Sequence, residues 1–274
     1  MNTENVLFAF ALTLFAGLST GIGSALAFFT KRTNTRFLTY SLGFSAGVMI
    51  YVSLVEIFQK SVHSFAEIYS PKASYAFTLL AFFGGIAFIA LIDMLIPSYE
   101  NPHEIRSIEE IDKAEYKIEK NKKLARMGLF SALAIAIHNF PEGIATFAAG
   151  LANPEVAIPI AFAIAIHNIP EGIAVSVPIY YATGNRRKAF LLSFLSGLAE
   201  PVGALVGFVF IYFIAGGMTP IISGVMFGTV AGIMVFISLD ELLPTAEEYG
   251  EHHISIYGLV SGMAIMAVSL LLFM

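Results

Sequence analysis

Two imidazoles, two carboxamides and three carboxylates stand out in a chain that is otherwise mostly apolar. Ala134-Ile-Ala-Ile-His-Asn-Phe-Pro-Glu-Gly-Ile-Ala145 recurs 29 residues later as Ala163-Ile-Ala-Ile-His-Asn-Ile-Pro-Glu-Gly-Ile-Ala174, with one residue in twelve changed. On a helix advancing about 100° per residue, His138 and Glu142 lie roughly 40° apart, and Asn139 falls within the same arc. His167, Asn168 and Glu171 repeat that arrangement. A third carboxylate, Glu200, sits within Leu198-Ala-Glu-Pro-Val-Gly-Ala204. Imidazole, carboxamide and carboxylate together suit borderline first-row cations such as zinc, iron or manganese. Calcium would prefer oxygen ligands alone, and the absence of cysteine removes thiolate sites. Converging carboxylates repel unless a cation or a proton offsets them. Three of them, able to bridge, could hold two ions side by side. A single buried His-Asn pair would read as an interhelical hydrogen-bonding device; a duplicated pair with duplicated glutamate reads as a metal site. Glu200-Pro201 could also serve a kink or a proton relay.

The elements that must hold these residues are membrane spans. Only 13% of the 274 residues are charged, about half of what a soluble domain carries, and 57% are hydrophobic. Spans need roughly 20 apolar residues. Eight stretches qualify, at about 5–29, 37–60, 75–96, 127–150, 157–181, 188–213, 220–243 and 254–274. The expected fold is therefore all-α and polytopic, a single transmembrane domain over 1–274 with no room for a soluble one. No basic n-region precedes the first stretch, so a retained span is expected rather than a cleaved leader. The His of each motif lies ten or eleven residues into its span, near the bilayer midplane. A carboxylate there costs about 2.5–3.5 kcal/mol on insertion scales, which argues for a functional reason. Pro141 and Pro170 carry no N–H, which frees the carbonyls of Ile137 and Ile166 and permits a kink. In lipid such carbonyls need a partner, which a polar cavity or ion would provide.

Orientation follows from the basic residues. Lys31, Arg32, Arg36, the seven between spans three and four, and Arg186, Arg187 and Lys188 make 13 of 15 on one side, against Lys60 and Lys72 on the other. The 13 mark the cytoplasm, so both termini are expected outside.

A weaker repeat relates Gly43–Ile57 of span two to Gly228–Leu242 of span seven, with matches at Gly, Ala, Gly, Met, Ser, Leu and Glu. Gly17-Leu18 and Gly23 of span one likewise match Gly197-Leu198 and Gly203 of span six. Paired spans run oppositely, so the chain reads as three spans, a central pair, and three spans related to the first by inversion. Inverted repeats around a midplane site characterise transporters. Glu56, Asp93, Asp240 and Glu241 near span ends suit mouths that draw cations toward the site, or ordinary interfacial acids. The small-residue pairs Gly17/Gly21, Gly43/Gly47, Gly203/Gly207 and Gly228/Gly232 permit close helix packing. His252 and His253 fall in a cytoplasmic turn and read as solvated, with metal release or sensing the alternative; His63 and His103 carry no pattern. The connection at about 97–125 is charged and mixed in sign, with Ile105, Ile108, Ile111 and Ile118 at roughly helical spacing, and reads as a solvated cytoplasmic segment.

At His138-Asn-Phe-Pro-Glu-Gly143 and His167-Asn-Ile-Pro-Glu-Gly172 the sequence resembles the Zrt-, Irt-like (ZIP) family of divalent-metal transporters, its bacterial broad-specificity zinc importers above all. The likeness covers essentially the whole chain, including Glu200-Pro201 and Ser238-Leu-Asp-Glu-Leu-Leu-Pro244. It implies eight helices in a 3+2+3 arrangement, import toward the cytoplasm and a binuclear centre. His138, Glu142, His167 and Glu171 would form one metal position. Asn139, Glu142, Asn168, Glu171 and Glu200 would form the other, with the two glutamates bridging. The chain departs from relatives with a His-rich loop between spans three and four, having only His103 there. Some relatives place Gln-Asp where His167-Asn168 stand, so selectivity does not carry across. The expected activity is import of zinc, with iron, manganese, cobalt or cadmium as further cargo, across the cell membrane. The expected partners are those ions and the lipid bilayer. A homodimer is compatible, nucleic acid is excluded, and no resident cofactor is expected. An intramembrane metal-dependent hydrolase is the competing class, although there is no His-Glu-x-x-His motif and no polar cluster to hold a substrate.

Overall fold

A computed structural model of the protein describes residues 3–26, 35–95, 132–133, 135–137, 139–151, 154–214, 216–249 and 252–272. Among these residues the ordered elements are all helical. In chain order they are α1 (Thr3–Leu26), α2 (Thr35–Val52), α3 (Phe58–Ala66), α4 (Pro71–Leu95), α5 (139–151), α6 (Pro154–Thr183), α7 (Arg186–Gly197), α8 (Ala199–Val209), α9 (Pro220–Ile237), α10 (Leu243–Tyr249) and α11 (His252–Leu272). Seven helical segments among the described residues are long and apolar enough to cross a membrane. The fourth expected span, 127–150, is described only in part, and the 97–125 connection lies outside the described residues.

Span two is longer than anticipated. It runs on from α2 through a π-helical turn, Ser53–Ile57, into α3. Span seven does the same, from α9 through a π-helical turn at Ser238–Leu242 into α10. The two turns occupy equivalent places in the repeat, since Ser53 matches Ser238 and Glu56 matches Glu241. Such turns widen a helix by one residue and are frequent at functional sites. Span six breaks at Leu198, leaving Glu200 in the first turn of α8. The break follows from Pro201, which has no N–H to give the carbonyl of Gly197.

Packing reports the inverted repeat directly. α2 lies along α11 and α4 lies along α9, while α1 packs on α6 and α7. Span two against span eight and span seven against span three are the same contact under exchange of the halves. Small residues make these crossings close. A side chain at Gly47 would strike the carbonyl of Leu259, and one at Gly232 would strike that of Phe82. The common core gathers Leu42, Met49, Phe58, Ile160, Phe227 and Met234. Large apolar residues such as Leu80, Met94, Phe213 and Leu271 face outward, as expected where lipid is the solvent. Some buried hydroxyls bond within their own helix, as when Thr13 donates to the carbonyl of Ala9 and Ser238 to that of Met234, and others tie helices together, as when Ser61 donates to the carbonyl of Gly224.

Candidate metal centre

Five helices build the site: α1, α5, α6, α7 and α8. The apolar periodicity of α5 and α6 leaves each motif's polar residues on one face. Asn139, Glu142, His167, Asn168, Glu171 and Glu200 are all at most 1% exposed. Six polar side chains so fully enclosed must be tied to one another or to a ligand. His138 lies outside the described residues.

The two asparagines are anchored alike. Asn139 Nδ2 donates to the carbonyl of Ser196 at 3.2 Å, and Asn168 Nδ2 donates to the carbonyl of Ala16 at 2.9 Å. Ser196 and Ala16 each precede the repeated Gly-Leu, at Gly197 and Gly17, so these bonds correspond under the inversion. Asn168 also donates to Glu200 Oε1, fastening α6 to α8. Among the described residues Asn139 Oδ1, Asn168 Oδ1 and Glu200 Oε2 accept no hydrogen bond. Buried acceptors of this kind are costly unless something electropositive meets them.

Glycines let the backbones meet behind the site. A Cβ at Gly143 would collide with the carbonyl of Glu200, and a Cβ at Gly172 with the carbonyl of Thr20. Both motif glycines thus press on α8 and α1 at equivalent points. Pro170 sits within an unbroken α6, so it is accommodated without ending the helix. Ser45 of α2 reaches α6 one turn away, donating to the carbonyl of His167 at 3.4 Å.

His167 stands between the two motif glutamates. Its Nε2 lies 3.3 Å from Glu142 Oε2 and 3.9 Å from Glu171 Oε1. Charge-assisted N–H···O bonds are usually about 2.7–2.9 Å, so 3.3 Å is long for one. Two ligand atoms each about 2.0–2.1 Å from a tetrahedral zinc ion lie about 3.3 Å apart. The His167–Glu142 spacing therefore matches one edge of such a tetrahedron. Among the described residues no three His, Asp or Glu side chains close into a finished cage, and the second expected imidazole, His138, is not among them.

The outlying acids occupy separate places. Glu56 lies on the first π-helical turn and pairs with Lys60 at 3.3 Å. Asp240 and Glu241 lie on the second, with Glu241 buried. Asp93 is half-buried near the end of α4. His252 pairs with Glu247 at 2.7 Å on the exposed surface, in keeping with a solvated turn histidine, and His63 is exposed. His103 lies outside the described residues. Sequence reasoning missed Thr20, Ser45 and the carbonyls of Ala16 and Ser196. Thr20 could have been found, because aligning Gly17 with Gly197 pairs it with Glu200.

The sequence matches known proteins along its length. The family described as ZIP Zinc transporter matches residues 97–270. The zinc transporter ZupT of Clostridium perfringens is 59% identical over 282 residues, covering 99% of this chain and 98% of its own. That of Streptococcus mutans is 62% identical over 271 residues, with 99% of both chains covered. That of Chlorobaculum parvum is 61% identical over 272 residues, covering 99% of this chain and all of its own.

Proposed function

The chain belongs to the ZIP zinc transporter family, and we propose that it imports divalent transition-metal ions, zinc foremost, through the buried His-Asn-Glu set. It is a multi-pass membrane protein. One observation carries the assignment of the site. Glu142 and Glu171, from consecutive helices, approach the same imidazole nitrogen of His167 at 3.3 and 3.9 Å in the buried interior.

We assign His138, Glu142, His167 and Glu171 to one metal position. Asn139, Glu142, Asn168, Glu171 and Glu200 make the other, with the glutamates bridging. The acceptors of Asn139, Asn168 and Glu200 that find no donor support the second position. A bound divalent ion compensates the carboxylates that would otherwise repel. Passage requires this set to face each side in turn, for which the inverted halves supply the symmetry. Glu56 marks the external mouth; Asp93, Asp240 and Glu241 mark the cytoplasmic side, and both termini lie outside. The ion is cargo rather than a resident cofactor. The named relatives are transporters, and nothing among the described residues favours a hydrolase.

The test is uptake into proteoliposomes carrying a trapped metal indicator, over zinc, iron, manganese, cobalt and cadmium. Saturable zinc uptake lost in Glu142→Ala is the expected result. No uptake of any of the five by the wild type would overturn the reading.

A further inference from the structure

The two ends of the repeat differ in charge at one place. Along span two, Ser45, Met49, Ser53, Glu56 and Lys60 recur every three or four residues, which on a helix makes one stripe. The stripe begins where Ser45 meets the carbonyl of His167. It continues over Met49 and Ser53, which are wholly buried. Glu56 lies eleven residues beyond Ser45, about 16 Å along the helix, on the π-helical turn. Its carboxylate is held by Lys60 Nζ at 3.3 Å, with the two side chains only 21% and 19% exposed. The pair therefore stands largely out of water, on the helix face that leads outward from the metal centre.

In the inverted half the carboxylate of Glu241 is kept, but the ammonium is not. Lys60 corresponds to Thr245, and Val55 corresponds to Asp240. One mouth thus carries a carboxylate held by a lysine one turn on, whereas in the other the lysine's place is taken by Thr245 and a second carboxylate, Asp240, precedes Glu241. A fixed charge difference cannot drive net flux around a closed cycle. It does set how tightly each mouth holds a divalent ion.

We propose that Lys60 is a specificity-determining residue at the external mouth, an internal cation that an arriving metal ion must displace from Glu56. This inference rests on the transport reading above, with Glu56 outside. Monovalent ions compete poorly with a tethered ammonium, whereas a divalent ion gains twice the Coulomb attraction to the same carboxylate. Lys60 thereby raises the threshold for capture and favours doubly charged cargo. Its twofold counterpart Thr245 is uncharged and cannot play that part.

Initial rates of zinc uptake into proteoliposomes, measured against zinc concentration, test the idea. Lys60→Gln should lower KM about threefold, the scale of a partly exposed ion pair, with kcat unchanged. Lys60→Arg should keep the wild-type KM, because charge is what matters. In a Glu56→Gln background, adding Lys60→Gln should leave KM where Glu56→Gln puts it. Wild-type uptake with KM unchanged in Lys60→Gln would sink the inference alone, as would an equal shift without Glu56. Failure of the wild type to take up zinc would remove the transport reading, and this inference with it.

Discussion

Thr20 occupies the place in the first half that Glu200 occupies in the second. The carbonyl of Thr20 lies against Gly172, and the carbonyl of Glu200 lies against Gly143. Both residues are fully buried, and each sits three positions after a repeated glycine, Gly17 or Gly197. The backbone is therefore symmetric at the site while the side chains are not. One half offers a hydroxyl and the other a carboxylate, so the two proposed metal positions are not equivalent.

Replacing Glu200 with threonine would restore that symmetry and remove the carboxylate assigned to one position alone. Glu200→Thr is expected to reduce bound zinc from two ions per chain to one. Elemental analysis of the purified, dialysed protein would count them, and two ions retained by the variant would contradict the assignment.

Glu142 and Glu171 are assigned to both positions, so either loss should be more severe. Glu142→Ala or Glu171→Ala should cut zinc uptake to below about a tenth of wild type, since an incomplete set loses transition-state and ground-state ligands together. Monodisperse elution in detergent would show that insertion survived. Wild-type rates from either variant would remove the basis of the site.

The motif glycines should behave as a matched pair. A methyl group at Gly143 or Gly172 meets backbone rather than a movable side chain, which costs about 1–3 kcal/mol or more in overpacking. Gly143→Ala and Gly172→Ala should both lower Tm in detergent by several degrees, and by similar amounts. A glycine of similar burial without that clash, Gly207, touches only side-chain atoms of Ile144 and its Cα at 3.3–3.7 Å. Gly207→Ala should therefore be much milder. Equal Tm values for all three would mean that the close approach is not what holds these helices.

Protons compete with metal for the same imidazole and carboxylate atoms. Ligation requires neutral imidazole and ionised carboxylate, so metal binding releases protons and affinity rises with pH. On acidification from roughly pH 7 to 5, where imidazole ordinarily titrates, zinc affinity should fall. Calorimetry in buffers of different ionisation enthalpy counts the protons released. Zero release, with flat affinity across that range, would separate the histidine and glutamates from the metal.

Orientation has its own test. The 13-to-2 division of Lys and Arg between the two sides predicts that both termini lie outside. A reporter active only in the cytoplasm, fused after Met274, should be silent. Activity there would overturn either the span count or the direction.

The sequence by itself determined that the chain is a bundle of membrane helices, because long apolar stretches leave lipid as the only compatible solvent. It also singled out the residues proposed to bind metal. The duplicated His-Asn-x-Pro-Glu-Gly motif puts its polar groups on one helical face, and helical periodicity is local. The repeat was legible too, and with it the equivalence of Glu56 and Glu241. Tertiary structure decided what periodicity cannot reach. That Asn139 and Asn168 bond to Ser196 and Ala16, that Ser45 meets His167, and that Gly143 abuts Glu200 are contacts between distant segments. They depend on how the helices cross. The π-helical turns at Glu56 and Glu241 depend on the same thing, whereas the break at Leu198 follows locally from Pro201. Thr20 shows the boundary most clearly: its alignment with Glu200 is written in the chain, but only packing against Gly172 makes it part of the site.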